Sequence, residues 1–404
     1  MKKIKGGVCA AKGFKANGIH CGIRKNKDKR DLALIMSDAD CAVASVYTQN
    51  KVKGAPIAVT KRNIADGKAR AIVCNSGNAN TCNFDGEQKA QAMCESVSKH
   101  TGIPASDVVV ASTGVIGQPL DVTPIEKGMR QLVDGLSTSG STNAALAIMT
   151  TDTVVKEYAY SFVLDGKECH IGGIAKGSGM IHPNMATMLC FVTTDVNITS
   201  AMLDKALHKV VVDTFNMISV DGDTSTNDML TVMSSCLAGN ALIDDKGKNF
   251  NVFCKVLKKM LETLSRAIAK DGEGATKLIE CKVAGAKSAK IARAIAKSVI
   301  TSSLTKAALF AADANWGRIL CAIGYTDADF DIDKIDVDLI SKAGKIAVCR
   351  NGVGVEFDED TAHTILLEDE ITIFIDCHEG RAKATGWGCD LTYEYVKINA
   401  EYRT

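Results

Sequence analysis

The chain has 404 residues, 46% of them hydrophobic, enough for two large subdomains or one large layered fold with a substantial core. Its 48 Lys and Arg nearly balance its 47 Asp and Glu, and a net charge of +1 argues against nucleic-acid or membrane-surface partners, which need a clustered basic excess. No apolar run approaches the ~20 residues that span a bilayer, and no apolar segment of the signal-peptide kind follows the basic start Met1-Lys2-Lys3. The expected location is the cytoplasm.

In chain order, β-formers predict a strand at Ala71–Cys74, and spaced apolar positions predict a helix over Glu87–His100. A strand is expected at Tyr158–Leu164 and another at Leu189–Thr194. Helical spacing of Leu203, Leu207, Val210, Val211 and Phe215 marks Ala201–Phe215, and a clear apolar stripe marks Val256–Ile268. A strand at Leu278–Val283, a helix at Ala289–Leu304 and strands at Ile346–Cys349 and Ile371–Ile375 complete the reading. Strands and helices do not alternate strictly, which favours an α+β layered fold over a doubly wound parallel sheet. With five prolines and no low-complexity linker, nothing marks independent domains.

Fifteen cysteines are present, none closer in sequence than Cys74 and Cys82, so no C-x-x-C pair exists. They read as small core residues in a reducing compartment. The seven histidines show no ligand spacing, and no metal site is expected. The segment Asp221–Asp228 has the acidic spacing of a calcium loop, but Thr226 stands at its sixth place and Val232 at its twelfth, where glycine and glutamate are needed. Gly172–Gly179 is rich in glycine but has neither phosphate-loop spacing, and a strand follows where a helix is required. It reads as a flexible, lysine-bearing loop.

After that loop comes Pro183-Asn184-Met185-Ala186-Thr187-Met188-Leu189. A small residue before threonine points to self-cleavage of the Ala186–Thr187 bond. Thr187 would become an N-terminus whose α-amine, with an ordinary pKa of about 8, is the base that a threonine hydroxyl lacks. The plainer reading is a buried strand from Met185 to Thr194. Four polar segments bear on the choice: Ala111–Gly117, Met149–Thr153, Asp271–Lys277 and Ala314–Arg318. Each alone reads as a turn or helix cap. Together they offer what acyl transfer needs. Thr113 and Gly114 can supply a hydroxyl and an N–H to an oxyanion hole, Lys176 can meet a carboxylate, and Glu273 an ammonium.

These residues carry a resemblance that extends over nearly the whole chain. The Lys12–Ile19, Asn75–Asn80, Ser112–Gly117, Pro183–Leu189, Ser219–Asp228, Asp271–Lys277, Gly388–Val396 and Asn399–Thr404 segments resemble, in order, those of the ornithine acetyltransferase (glutamate N-acetyltransferase) family of arginine biosynthesis. The resemblance implies an α-β-β-α type layered fold, one compact fold shared by an alpha chain, 1–186, and a beta chain, 187–404, paired as alpha2beta2. It implies acetyl transfer from N2-acetylornithine to glutamate through an ester on Thr187, with Thr113 and Gly114 as oxyanion hole. Thr150, Lys176, Thr187, Glu273, Asn399 and Thr404 would bind substrate, the last two folding the C-terminus over the pocket. No cofactor is implied, and acetyl-CoA as a second donor stays open. The alternatives are a related self-cleaving amidohydrolase or aminopeptidase, with water as acceptor, and an uncleaved amino-acid-binding protein.

Overall fold

The computed structural model describes residues 1–182 and 188–401. It is an α+β fold in which helices clad two mixed sheets. The first sheet holds β1 (Lys2–Ile4), β2 (Phe14–Ile19), β3 (Leu32–Tyr47), β4 (Lys68–Asn78), β5 (Val108–Val115), β6 (Lys156–Leu164), β7 (Lys167–Lys176), β8 (Leu189–Thr194) and β9 (Met229–Ser234). The second holds β10 (Leu278–Ala286), β11 (Asp336–Ser341), β12 (Gly344–Arg350), β13 (Val353–Gly354), β14 (Glu370–Asp376) and β15 (Ala382–Cys389). The helices are α1 (Ala55–Asn63), α2 (Gly86–Thr101), α3 (Thr123–Asp134), α4 (Ser141–Ile148), α5 (Ser200–Val211), α6 (Lys248–Lys270), α7 (Ala289–Thr301), α8 (Ser303–Phe310), α9 (Trp316–Gly324), α10 (Glu359–Leu366) and α11 (Tyr393–Glu401).

Strand order in the first sheet is β1-β6-β7-β8-β9-β3-β4-β5, with β2 paired to β3. The β8–β9 and β4–β5 pairs are parallel. The long β3 shifts register between Met36 and Cys41; its first part pairs with β4 and its second with β9. Period-two alternation assigns side chains to two faces. Val108 and Val110 pack with Ala90, Met93, Val97, Met129 and Leu132 under α2 and α3. Val109 and Ala111 face the other way, into a core with Ala144, Ala147 and Ile148 of α4. A third core joins α5, α6 and α7 to both sheets, from Ile171, Cys190 and Val232 to Ile279, Cys281 and Ile373.

The predicted strands all form, several longer than expected, and Leu189–Thr194 has the expected bounds. Two helices differ. Ala201–Phe215 stops at Val211, where the β-branched run Val210-Val211-Val212 ends and the Thr214 hydroxyl donates to the Val210 carbonyl at 2.9 Å. Ala289–Leu304 breaks at Ser302, whose extended backbone (φ −66°, ψ 109°) ends α7 and whose hydroxyl caps α8 by accepting from Thr305. Of the fifteen cysteines, all free thiols, ten are buried.

The glycine-rich segment is not a flexible loop through most of its length, because Gly172 and Gly173 lie inside β7. Glycine is needed there for close approach: a Cβ on Gly172 would lie 1.7 Å from the Gly7 carbonyl oxygen. Ser112–Val115, expected as a turn, is likewise the end of β5. Gly172→Ala should destabilise the fold by about 2–3 kcal/mol or more through backbone displacement. A shift in the urea unfolding midpoint measures it, and an unchanged midpoint would contradict the close approach.

Candidate active site

A cavity of about 140 Å³ is lined by Ala79, Thr113, Gly114, Ile116, Thr150, Thr151, Lys176, Gly179, Met180, Ser225, Thr226, Asn227, Glu273 and Asn399. All six described residues of the sequence-derived site therefore meet in one place. A smaller recess, lined by Thr113, Lys176, Met188, Leu189 and Asp228 among others, adjoins it. Ala186, Thr187 and Thr404 lie outside the described residues. A larger groove, about 930 Å³, is elsewhere, between Lys51, Lys61, Phe84 and Gln91, and contains none of these groups. The convergence of reactive side chains, rather than size, marks the smaller cavity as the candidate site.

Thr113 and Gly114 lie at the end of β5, where its parallel pairing with β4 loses register at Gly77 and Asn78. Gly114 has φ +135°, and a Cβ there would lie 2.3 Å from the Gly77 carbonyl carbon. Only glycine fits this conformation and approach. Asn227 clamps the two strand ends, donating to the carbonyls of Ala79 and Ser112 and accepting from the Thr81 hydroxyl at 2.6 Å.

Lys176 ends β7 and is 8% exposed. Its ammonium lies 3.4 Å from the Thr113 hydroxyl. Burial pulls its pKa below the usual lysine range, opposed by the nearby Asp152 carboxylate. Glu273 enters from the turn after α6, and its N–H donates to the Ser178 carbonyl at 3.0 Å. Its carboxylate would lie 2.3 Å from a Cβ on Gly179, so this glycine makes room for it. Asn399 of α11 donates to Glu273 at 2.8 Å, which brings this helix to the cavity. One wall is cationic and another anionic, the polarity that suits an amino-acid derivative carrying a carboxylate and an ammonium.

Behind these walls is a buried network. The Lys156 ammonium binds Asp152 at 2.7 Å and Asp271 at 2.5 Å. Asp152 accepts N–H groups from Thr150 at 3.0 Å and Gly177 at 2.7 Å. Burial would push the Asp152 carboxyl up, but the cations of Lys156 and Lys176 and the Gly177 N–H prevail and hold it at about 2. Asp271 accepts from the N–H groups of Thr153 and Val154, and the Ser178 hydroxyl donates to its carbonyl at 2.6 Å.

The sequence reading missed Asp152, Lys156 and Asn227 as supports of the site. Asp152 lies in Met149–Thr153, already marked as polar; Lys156 pairs with it four residues on, but its second partner, Asp271, is 115 residues away. The rejected calcium-loop segment supplies a wall instead, through Ser225, Thr226 and Asn227. Among the described residues, no group of three His, Cys, Asp or Glu gathers for a metal, and no helix is long and apolar enough to cross a membrane.

Fold and cavity together define an α+β protein with a small site lined by side chains of opposed charge. The ArgJ family model matches residues 15–404. The arginine biosynthesis bifunctional protein ArgJ of Caldanaerobacter subterraneus is 49% identical over 405 positions, covering 100% of both chains. ArgJ 1 of Clostridium acetobutylicum is 50% identical, covering 97% of this chain and 96% of its own. A crystal structure of arginine biosynthesis bifunctional protein ArgJ from Bacillus halodurans is 45% identical, with a TM-score of 0.50 over 52% of this chain and 98% of that one. The chain belongs to the ArgJ family.

Lys156→Met leaves Asp152 and Asp271 buried without their cation, and should cost about 3–5 kcal/mol in denaturant unfolding. Because the folded pKa of Asp152 is depressed, its contribution to stability is present above the unfolded value of about 3.9 and is lost as pH falls toward about 2. Acid titration of wild type and Asp152→Asn should show that loss in the wild type alone.

Proposed function

We propose that this chain transfers an acetyl group from N2-acetylornithine to glutamate, releasing ornithine and N-acetylglutamate. Thr187, freed by cleavage of the Ala186–Thr187 bond, is the nucleophile. Its Oγ attacks the acetyl carbonyl while its α-amine takes the hydroxyl proton. The bond to ornithine nitrogen then breaks, that nitrogen takes the proton, and an acetyl ester remains on Thr187. The glutamate amine attacks the ester and restores the hydroxyl, a ping-pong course. Thr113 and Gly114 stabilise the oxyanion of each tetrahedral intermediate. Lys176 holds the α-carboxylate common to both substrates, and Glu273 takes the ammonium of ornithine. Thr150, Asn399 and Thr404 complete the binding site.

The observation that carries this reading is the meeting of Thr113, Gly114, Lys176 and Glu273 around a cavity whose adjoining recess is lined by Met188, the residue bonded to Thr187. The sheet supports a cleaved but undissociated product: β8 and β9, which follow the cut, lie between β7 and β3, which precede it. The chains 1–186 and 187–404 would thus stay paired, and we take alpha2beta2 as the assembly. The word bifunctional in the relatives' names is compatible with acetyl-CoA as a second donor, since only its thioester must reach Thr187.

Incubation with N2-acetylornithine and glutamate should give equimolar ornithine and N-acetylglutamate; acetate without N-acetylglutamate would point to a hydrolase. Thr187→Ala should run as one band on a denaturing gel and be inactive, and a cut variant would refute the nucleophile. Thr113→Val should slow transfer by about a hundredfold. Lys176→Met should raise KM about tenfold or more, the value of a charge-assisted hydrogen bond.

A further inference from the structure

Asp228 immediately precedes β9 and is 1% exposed. Its Oδ2 is buried and has no hydrogen-bond partner among the described residues. An oxygen so placed is costly, and such groups are few in folded proteins. The residue borders the adjoining recess beside Thr113, Lys176 and Met188. The parallel register of β8 and β9 starts at Leu189 and Met229, and the Met229 N–H donates to the Met188 carbonyl at 2.9 Å. Asp228 therefore stands opposite Met188, one step before the ladder. Covalent geometry adds the next step: the Thr187 nitrogen is three bonds from that of Met188, at most about 3.7 Å away.

We propose that Asp228 is a positioning residue that receives the α-amino group of Thr187 after cleavage, its unpartnered Oδ2 accepting from the new ammonium. The proposal rests on the reading of Thr187 as the nucleophile exposed by the cut. In the uncut chain the nitrogen is a neutral amide, and burial pushes the Asp228 carboxyl well above the usual carboxylate range, opposed in part by the Ser225 hydroxyl, Lys176 and the Thr48 hydroxyl. Cleavage turns the amide into an amine that can take a proton, and the carboxylate gains a cation. During acyl transfer the amine accepts the Thr187 hydroxyl proton. The ammonium so formed is repelled by Lys176 on β7 and attracted by Asp228. Asp152, Lys156 and Arg24 act on Lys176 from behind, and Glu273 faces the same cavity from the turn after α6.

The test compares wild type, Asp228→Asn and Asp228→Glu, with mass spectrometry of the cut and kcat/KM measured against pH. The acidic limb, which reports deprotonation of the amine, should lie at least about one pH unit lower in Asp228→Asn, because an opposite charge at this range raises the pKa of an ammonium by that much or more. Asp228→Glu should return the limb toward the wild-type position. A limb that stays in place in Asp228→Asn overturns the proposal, since a structural defect lowers the rate without moving it. Absence of the 186/187 cut in wild type is a separate result and removes Thr187 as nucleophile. Should Asp228→Asn fail to fold or to cut, infrared spectra of cut wild type and uncut Thr187→Ala at one pH decide the matter. One protonated carboxyl should disappear on cutting, and equal numbers in both would overturn the assignment.

Discussion

The site depends on one buried ammonium. Lys156, the first residue of β6, is held by Asp152 on one side and Asp271 on the other. Asp152 fixes the backbone at Thr150 and at Gly177, next to Lys176. Asp271 gathers Thr153 and Val154, and Glu273 follows it by two residues. Three polar walls of the cavity are thus tied to a single cation. Desolvation consumes most of what such a pair gains, so its contribution is better described as geometry than as net stability. An apolar replacement could fill the space, but it would not hold three loops at fixed distances.

Charge inside the cavity is opposed rather than balanced at contact. Lys176 and Glu273 both line it, yet each has its own support, Lys176 beside Asp152 and Thr113, Glu273 against Asn399. A ligand with both signs of charge can therefore engage two preformed poles. The large groove beside Phe84 has more cations and more room, but it lacks the threonine, the glycine of positive φ and the buried lysine that acyl chemistry needs.

Sequence patterns showed most of the fold where they were local. β8 was legible because every residue from Leu189 to Thr194 is buried, and α6 because its stripe faces a core. Helix ends were less legible: Ser302 is a cap only because it leaves the helix, which the apolar periodicity around it conceals. The glycines of β7 were misread as loop because the Gly7 backbone that presses on Gly172 comes from far away in sequence. Among site residues, Thr113, Gly114, Lys176 and Glu273 were readable from chemistry, and Thr150 and Asn399 only by resemblance. Asp152 and Lys156 are four residues apart, but each also needs a partner more than twenty residues away, as Asn227 does, and Asp228 is marked by the want of one.

The interleaved sheet would decide when the proposed cut between Ala186 and Thr187 can occur. Thr113 comes from the first third of the chain, Glu273 from the second half and Asn399 from the last turns, and β8 finds its place only when β7 and β9 flank it. On the proposed self-cleavage, the bond would be cut only after the whole chain has been made and arranged. Misfolded or truncated molecules would keep their peptide intact and never acquire the terminal amine. Maturation would then serve as a proofreading step, in which the fold licenses its own activity without a separate protease.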